Sequence, residues 1–175
     1  MSLAQRLGAL ALFAGLCAAQ PPGLEVPFIR QQKNGCGAAS VAMVMRYWNQ
    51  QLATPAAIPS PQEVYQRLYR PELKGIQLAE MKRYLEEQGY QAYTLHGEWK
   101  DLEQHLAKGR PVIVALKPGA RKPVHFAVLS GAAGDAVLLN DPTKRKTGRM
   151  TRGKFDAQWS RAERWMLVAA PARGS

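Results

Sequence analysis

Residues 124–142, VHFAVLSGAAGDAVLLNDP, place two apolar runs on either side of a turn signal. The runs VHFAVLSG (124–131) and AVLLND (136–141) read as strands, and GAAGD (131–135) reads as the turn between them. That pattern predicts an antiparallel hairpin. Residues placed symmetrically about a hairpin turn face each other across the ladder. His125 and Asp141 are symmetric about position 133, so the spacing predicts that they are neighbours at the open end of the hairpin. A carboxylate beside an imidazole fixes its tautomer and stabilises its charged form. Alone, Asp141 reads as a strand-exit residue ahead of Pro142. Paired by register with a histidine, it reads as an orienting acid. Asn140 should point to the other face of the sheet, and becomes the ring's partner only if the register differs by one.

Working outward, PVIVALK (111–117), YQAYTL (90–95) and RWMLVAA (164–170) read as further strands. CGAASVAMVMRYWNQQ (36–51) carries Val41, Val44, Met45 and Trp48 at helical spacing, with Met43 between them, and predicts a largely buried helix. SPQEVYQRLYR (60–70) opens with Ser60 as N-cap, Pro61 at the first helical position and Glu63 completing a capping box. IQLAEMKRYLEEQG (76–89) and WKDLEQHLAKG (99–109) are helices stopped by Gly89 and Gly109, and KFDAQWSRA (154–162) is a shorter one. Helices first and then a meander of strands make an α+β fold.

The first residues, MSLAQRLGALALFAGLCAAQ, read as an export signal: Arg6, an apolar stretch Leu7–Leu16, and small residues before a cut after Ala19. The stretch is short of the roughly 20 residues that span a bilayer. The expected organisation is a signal peptide over 1–19, a linker over 20–25, one domain over 26–170 and a tail over 171–175. The cut removes Cys17 and leaves Cys36 alone, in an oxidising compartment, periplasmic or secreted.

A lone cysteine is ordinarily a small buried hydrophobe. The flanks of Cys36 in QQKNGCGAAS (31–40) argue for use instead, because Asn34, Gly35 and Gly37 mark a tight turn at the mouth of a helix. Helix-terminal amides and the positive end of the dipole favour a thiolate there, and the glycines should let a substrate backbone approach the sulfur. Of the three histidines, His96 and His105 read as surface residues, which leaves His125 as the base. Gln31 or Gln32, with the Cys36 N–H, can supply donors to an oxyanion.

The net charge of +11 is densest in TKRKTGRMTRGK (143–154), read as a solvated loop attracted to anionic surfaces. No aromatic residues interleave with it, so nucleic-acid binding is unsupported. One cysteine beyond the signal and scattered histidines give no zinc spacing. No metal, nucleotide or other cofactor is expected.

These residues together resemble a known family. VPFIRQQKNGCGAASVAMVMRYW, PVIVALK, HFAVLSG, LLNDP and KFDAQW occur in the order found in the papain-like bacteriocin-leader peptidases, cysteine peptidase family thirty-nine, over about Val26 to Val168. The resemblance implies a papain-like fold with N-terminal helices packed on a mainly antiparallel sheet. It places the nucleophile on Cys36, the general base on His125, the orienting acid on Asp141 and the oxyanion glutamine on Gln31 rather than Gln32. The best-known members are cytoplasmic domains fused to ABC exporters that cut leaders after Gly-Gly. This sequence shows no transporter segment or ATP-binding motif and looks more like stand-alone exported members, some of which accompany secretion systems. The expectation is therefore an exported cysteine endopeptidase acting on a polypeptide, either a Gly-Gly leader or a secretion-associated protein, with export machinery as a partner. The competing expectations are a papain-like module that binds peptide without cutting it and a Cys-His hydrolase of cell-wall muropeptides.

Overall fold

The computed structural model describes residues 23–52, 56–144 and 147–172. The export signal, Cys17, the start of the linker and the end of the tail lie outside the described residues. The helices are α1 (Cys36–Gln51), α2 (Pro61–Leu68), α3 (Leu78–Glu87), α4 (Trp99–Ala107) and α5 (Arg152–Ser160). The strands are β1 (Tyr90–His96), β2 (Val112–Leu116), β3 (His125–Ala133), β4 (Ala136–Asn140), β5 (Gly148–Thr151) and β6 (Trp165–Pro171). The strands form one sheet in the order β1-β6-β2-β3-β4-β5, with every pair antiparallel. The fold is α+β.

Helices cover both faces of this sheet. On one face α1 packs with α2 and α3, burying Val41, Met43, Val44 and Met45 against Ile113, Ala115, Phe126 and Val128. On the other face α4 and α5 bury Leu102, Phe155 and Trp159 against Val112, Val114, Ala127 and Leu129. Alternate residues of β2 and β3 therefore enter different cores, which is why PVIVALK is apolar throughout rather than alternating. Each large apolar side chain so buried contributes about 1.5–3 kcal/mol. The polar ends of the buried aromatics are satisfied. Tyr47 Oη donates to the Gly109 carbonyl, Trp48 Nε1 to Ala169, and Trp159 Nε1 to Trp165.

The Ser60–Glu63 capping box forms as its spacing predicts, with Ser60 N–H on Glu63 Oε2 at 2.7 Å and Glu63 N–H on Ser60 Oγ at 3.3 Å. Two local expectations are corrected. The second helix ends at Leu68, and Pro71–Leu73 form a separate 3₁₀ turn, since Pro71 removes a donor and bars its predecessor from helix. The basic segment is not one loop: Gly148–Thr151 pair with β4 as β5, and Thr151 Oγ1 caps α5, which starts at Arg152. The N-terminal helices pack on the antiparallel sheet as expected, and α4 and α5 cover its second face.

Candidate active site

Cys36 is the first residue of α1, and the N-cap residue Gly35 offers no side chain to bond the helix's first amides. No acidic residue occupies the first turn. The positive end of the helix therefore acts on the sulfur without a competing carboxylate. The turn that delivers Cys36 is tight: Asn34 adopts φ 56°, and Gly35 N–H bonds the Gln32 carbonyl at 2.9 Å. The protein's own packing requires these glycines. A Cβ on Gly35 would lie 2.7 Å from the Tyr65 ring, and one on Gly37 would lie 3.0 Å from Met81 Sδ and 3.1 Å from Ile76 Cγ2. Tyr65 also donates from its hydroxyl to the Lys33 carbonyl at 3.0 Å, which fastens the loop before Cys36 to α2.

His125 opens β3 opposite Leu116 of β2. Its Nε2 lies 2.7 Å from Asp141 Oδ1. The symmetric pairing expected for these two residues is absent from the ladder. The last pair of β3 and β4 is Val128↔Asn140, so the next position, Asp141, continues opposite Ala127 rather than His125. The offset is two residues, and two residues along a strand keep a side chain on the same face. The ring thus meets the carboxylate across a diagonal.

A bulge secures that face. Leu129 pairs with Leu139 but Gly131 pairs with Leu138, leaving Ser130 as the extra residue of β3. The turn-proximal register, continued without the bulge, would put Asp141 opposite Val128 and bring Asn140 to the face of His125. With the bulge, Asn140 is turned inward and is 1% exposed. Its Nδ2 donates to the Val26 carbonyl at 2.8 Å, and its Oδ1 accepts from Thr147 N–H and Oγ1. Asn140 anchors the N-terminal segment and does not touch the imidazole. The bulge carbonyl, Ser130 O, accepts from Leu24 N–H at 2.7 Å and holds the same segment.

Asp141 is fixed by two residues that the sequence reading missed. Its Oδ1 accepts from Thr143 N–H at 3.0 Å and Thr143 Oγ1 at 2.7 Å, while Oδ2 pairs with Lys144 Nζ at 2.9 Å. The signal for this was available, since an aspartate bonding the amide two residues on is the Asx turn that Asp-Pro-Thr favours. The Pro142 carbonyl accepts from Gln31 N–H at 3.1 Å, so the glutamine segment and the acid loop lie side by side. Gln31 Oε1 is buried with no hydrogen-bond partner among the described residues. Gln32 is exposed and its amide bonds Gln62 of α2 instead.

Charge follows from this arrangement. Burial would lift the thiol of Cys36, but hydrogen bonds from His125 and from the Phe126 amide, with the charge of the imidazolium, outweigh it and lower its pKa. Burial likewise opposes the charged ring of His125; the hydrogen bonds to Asp141 and Cys36 overcome it and raise His125 to about 9. Asp141 is held well below the usual carboxylate range: burial is outweighed by its bonds to His125, Thr143 and Lys144. With Nε2 on the carboxylate, Nδ1 is the ring nitrogen left for the sulfur. These shifts all favour a thiolate–imidazolium pair backed by a carboxylate.

The other two histidines stand apart. His96 ends β1, exposed, with Nδ1 2.7 Å from the Glu163 carbonyl. His105, read as a surface residue, is half-buried in α4 because that helix lies on the sheet; burial and then Arg110 and Lys108 push its pKa down.

A family model described as the Peptidase_C39 like family matches residues 23–165. Three solved structures share the fold. A double glycine motif protease from an AMS/PCAT transporter, solved in complex with the leader peptide, has 24% identity and a TM-score of 0.66, covering 87% of this chain and 96% of that one. The peptidase domain of Streptococcus ComA, described as a bi-functional ABC transporter involved in quorum sensing, has 18% identity and a TM-score of 0.67, covering 84% and 99%. A putative C39-like peptidase from Bacillus anthracis has 17% identity and a TM-score of 0.64, covering 86% and 96%. No curated protein matches the chain.

Proposed function

We propose that this chain, which belongs to the Peptidase_C39 like family and is a cysteine peptidase, is an exported endopeptidase that processes a leader-bearing or secretion-associated polypeptide. Residues 1–19 serve as the export signal in this reading, and the mature enzyme works in the periplasm or outside the cell. The observation that carries the reading is the chain of contacts from the Cys36 thiol through the His125 ring to Asp141.

The Cys36 thiolate attacks the scissile carbonyl, forming a C–S bond and moving the carbonyl electrons onto oxygen. The Cys36 N–H at the start of α1 and the Gln31 amide donate to that oxyanion. As the tetrahedral intermediate collapses the C–N bond breaks, and His125 gives its proton from Nδ1 to the departing amine. The ring, now neutral, takes a proton from water; the hydroxide attacks the thioester carbonyl and the C–S bond breaks. The acid product leaves, and the proton returned through His125 restores the ion pair. Asp141 keeps the ring in the orientation that presents Nδ1 to sulfur throughout.

The relative crystallised with its leader peptide supports a substrate of the same kind, an extended segment ending in two glycines. A synthetic peptide with such a motif should be cut after the second glycine. Gln31→Ala should lower kcat on it by on the order of 10²–10³ with KM little changed, as for loss of one oxyanion donor. An unchanged kcat in Gln31→Ala removes that residue from the mechanism. Release of muropeptides with no cleavage of the peptide would favour the wall-hydrolase reading.

A further inference from the structure

The catalytic groups come from three segments: residues 29–36 before and into α1, residues 116–126 joining β2 to β3, and residues 139–144 leaving β4. Together they carry six cations, Arg30, Lys33, Lys117, Arg121, Lys122 and Lys144, and a single acid, Asp141. That acid is already spent on His125, Thr143 and Lys144.

The placement is fixed by backbone contacts. The 117–124 loop leaves Leu116 and re-enters the sheet at His125, and these two residues are Cα partners. The Gln31–Pro142 bond brings the backbone that carries Arg30 and Lys33 alongside the backbone that leads to Lys144. Arg30, Lys33, Arg121, Lys122 and Lys144 are exposed, and Lys117 is half-buried.

Several cations elsewhere on the surface are matched with acids, although others, among them Arg46, Lys74, Lys108 and Lys154, are in no ion pair among the described residues. Arg67, Arg70, Lys82 and Arg83 pair with Glu80, Glu86 and Glu87, and Arg164 pairs with Asp156. Around the catalytic groups acids are scarcer still, with Asp141 alone among six cations. Among the described residues, Lys144 alone of the six has an ion-pair partner. An interspersed surface is the ordinary solution for a soluble face; a one-signed rim around a cleft focuses field on whatever enters it.

We infer that the cleft selects an acidic polypeptide, one with Asp or Glu side chains flanking the scissile bond. The inference rests on the peptidase reading for what is bound, and on the rim cations for its charge. A polypeptide fits better than a nucleic acid, because the rim offers cations for carboxylates but no aromatic platform for bases.

The test separates binding from cleavage. Two identically labelled twelve-residue peptides, each centred on two glycines, carry either three glutamates or three glutamines around the centre. Binding to Cys36→Ala protein is followed by anisotropy at low and at high salt. The glutamate peptide should bind about tenfold more tightly at low ionic strength, and the ratio should fall to about twofold at half-molar salt. Arg121→Glu combined with Lys122→Glu, in an exposed loop outside the catalytic groups, should erase most of that ratio and leave the glutamine peptide's affinity within about twofold. Gln at both positions should give the same direction with a smaller loss. Equal affinity for the two peptides, or a ratio insensitive to salt and to both double variants, would overturn the inference. So would a single-stranded oligonucleotide of the same charge that binds more tightly and displaces the glutamate peptide. If Cys36→Ala prefers the glutamate peptide while wild-type protein cuts neither, the inference stands and the Gly-Gly cleavage reading falls.

Discussion

Cys36→Ala is expected to abolish peptide hydrolysis, with a loss on the order of 10⁵–10⁶ in kcat, while the protein stays folded. The size follows from what is removed. Without sulfur there is no covalent intermediate, and His125 and Asp141 have no nucleophile to act on; such groups work as a unit, so losing one is close to losing all. The residual rate is that of water in a site that still has oxyanion donors. Folding should survive because Cys36 is only half-buried and α1 is held by Val41, Met43, Val44 and Met45 rather than by the thiol. Removing a small, partly exposed group from the first turn leaves little cavity. A steady-state assay beside a thermal melt checks both halves. Full activity in Cys36→Ala would end the thiol mechanism.

The second large effect concerns Asp141. Asp141→Ala should cost on the order of 10³ in kcat/KM, and Asp141→Asn as much or more, because the amide keeps the shape of the carboxylate but lacks its charge and can set the wrong ring tautomer. The distinctive readout is the pH profile. The ion pair exists above the lowered pKa of Cys36 and below about 9, where His125 loses its proton. Activity should therefore fall on the acid side as the thiolate is protonated, and on the alkaline side near pH 9 as the leaving-group acid is lost. Asp141 supports the charged ring by hydrogen bond and by charge. In Asp141→Asn the charge is gone, His125 drifts down toward an ordinary imidazole, and the alkaline limb moves to lower pH. A purely structural role for Asp141 would lower the rate without moving that limb. An alkaline limb unchanged in Asp141→Asn would contradict the assigned coupling.

Much of this was legible in the sequence, for identifiable reasons. The capping box at Ser60 and Glu63 and the apolar spacing of α1 are local signals, and local signals survive folding. The meeting of His125 with Asp141 was legible only because side chains alternate with period two. The pairing expected by symmetry was displaced by two residues, and an even displacement keeps the face. An odd one would have delivered Asn140. What prevents the odd one is the bulge at Ser130, and Ser130-Gly131 announces no bulge that a strand-and-turn reading could recognise. The packing role of Gly35 and Gly37 was not visible in the sequence because their neighbours, Tyr65, Ile76 and Met81, are 30 to 44 residues away in the chain. Strand β5 was missed because Gly148–Thr151 carry one apolar residue within a basic run, and only pairing with β4 makes them a strand. Spacing left both Gln31 and Gln32 open; in the fold Gln32 turns to Gln62, and Gln31 stays beside the Asp141 loop.

The central claim is that the Cys36 sulfur rests as a thiolate paired with the His125 imidazolium. The rate at which iodoacetamide modifies Cys36, read by mass spectrometry on the peptide that contains it, measures this as a function of pH. The account predicts a rate that rises and levels off at lower pH than the ordinary thiol pKa of about 8.5 would give, and predicts that denaturant removes the displacement. A native profile that rises as a free cysteine's does, superimposing on the denatured protein, would contradict it.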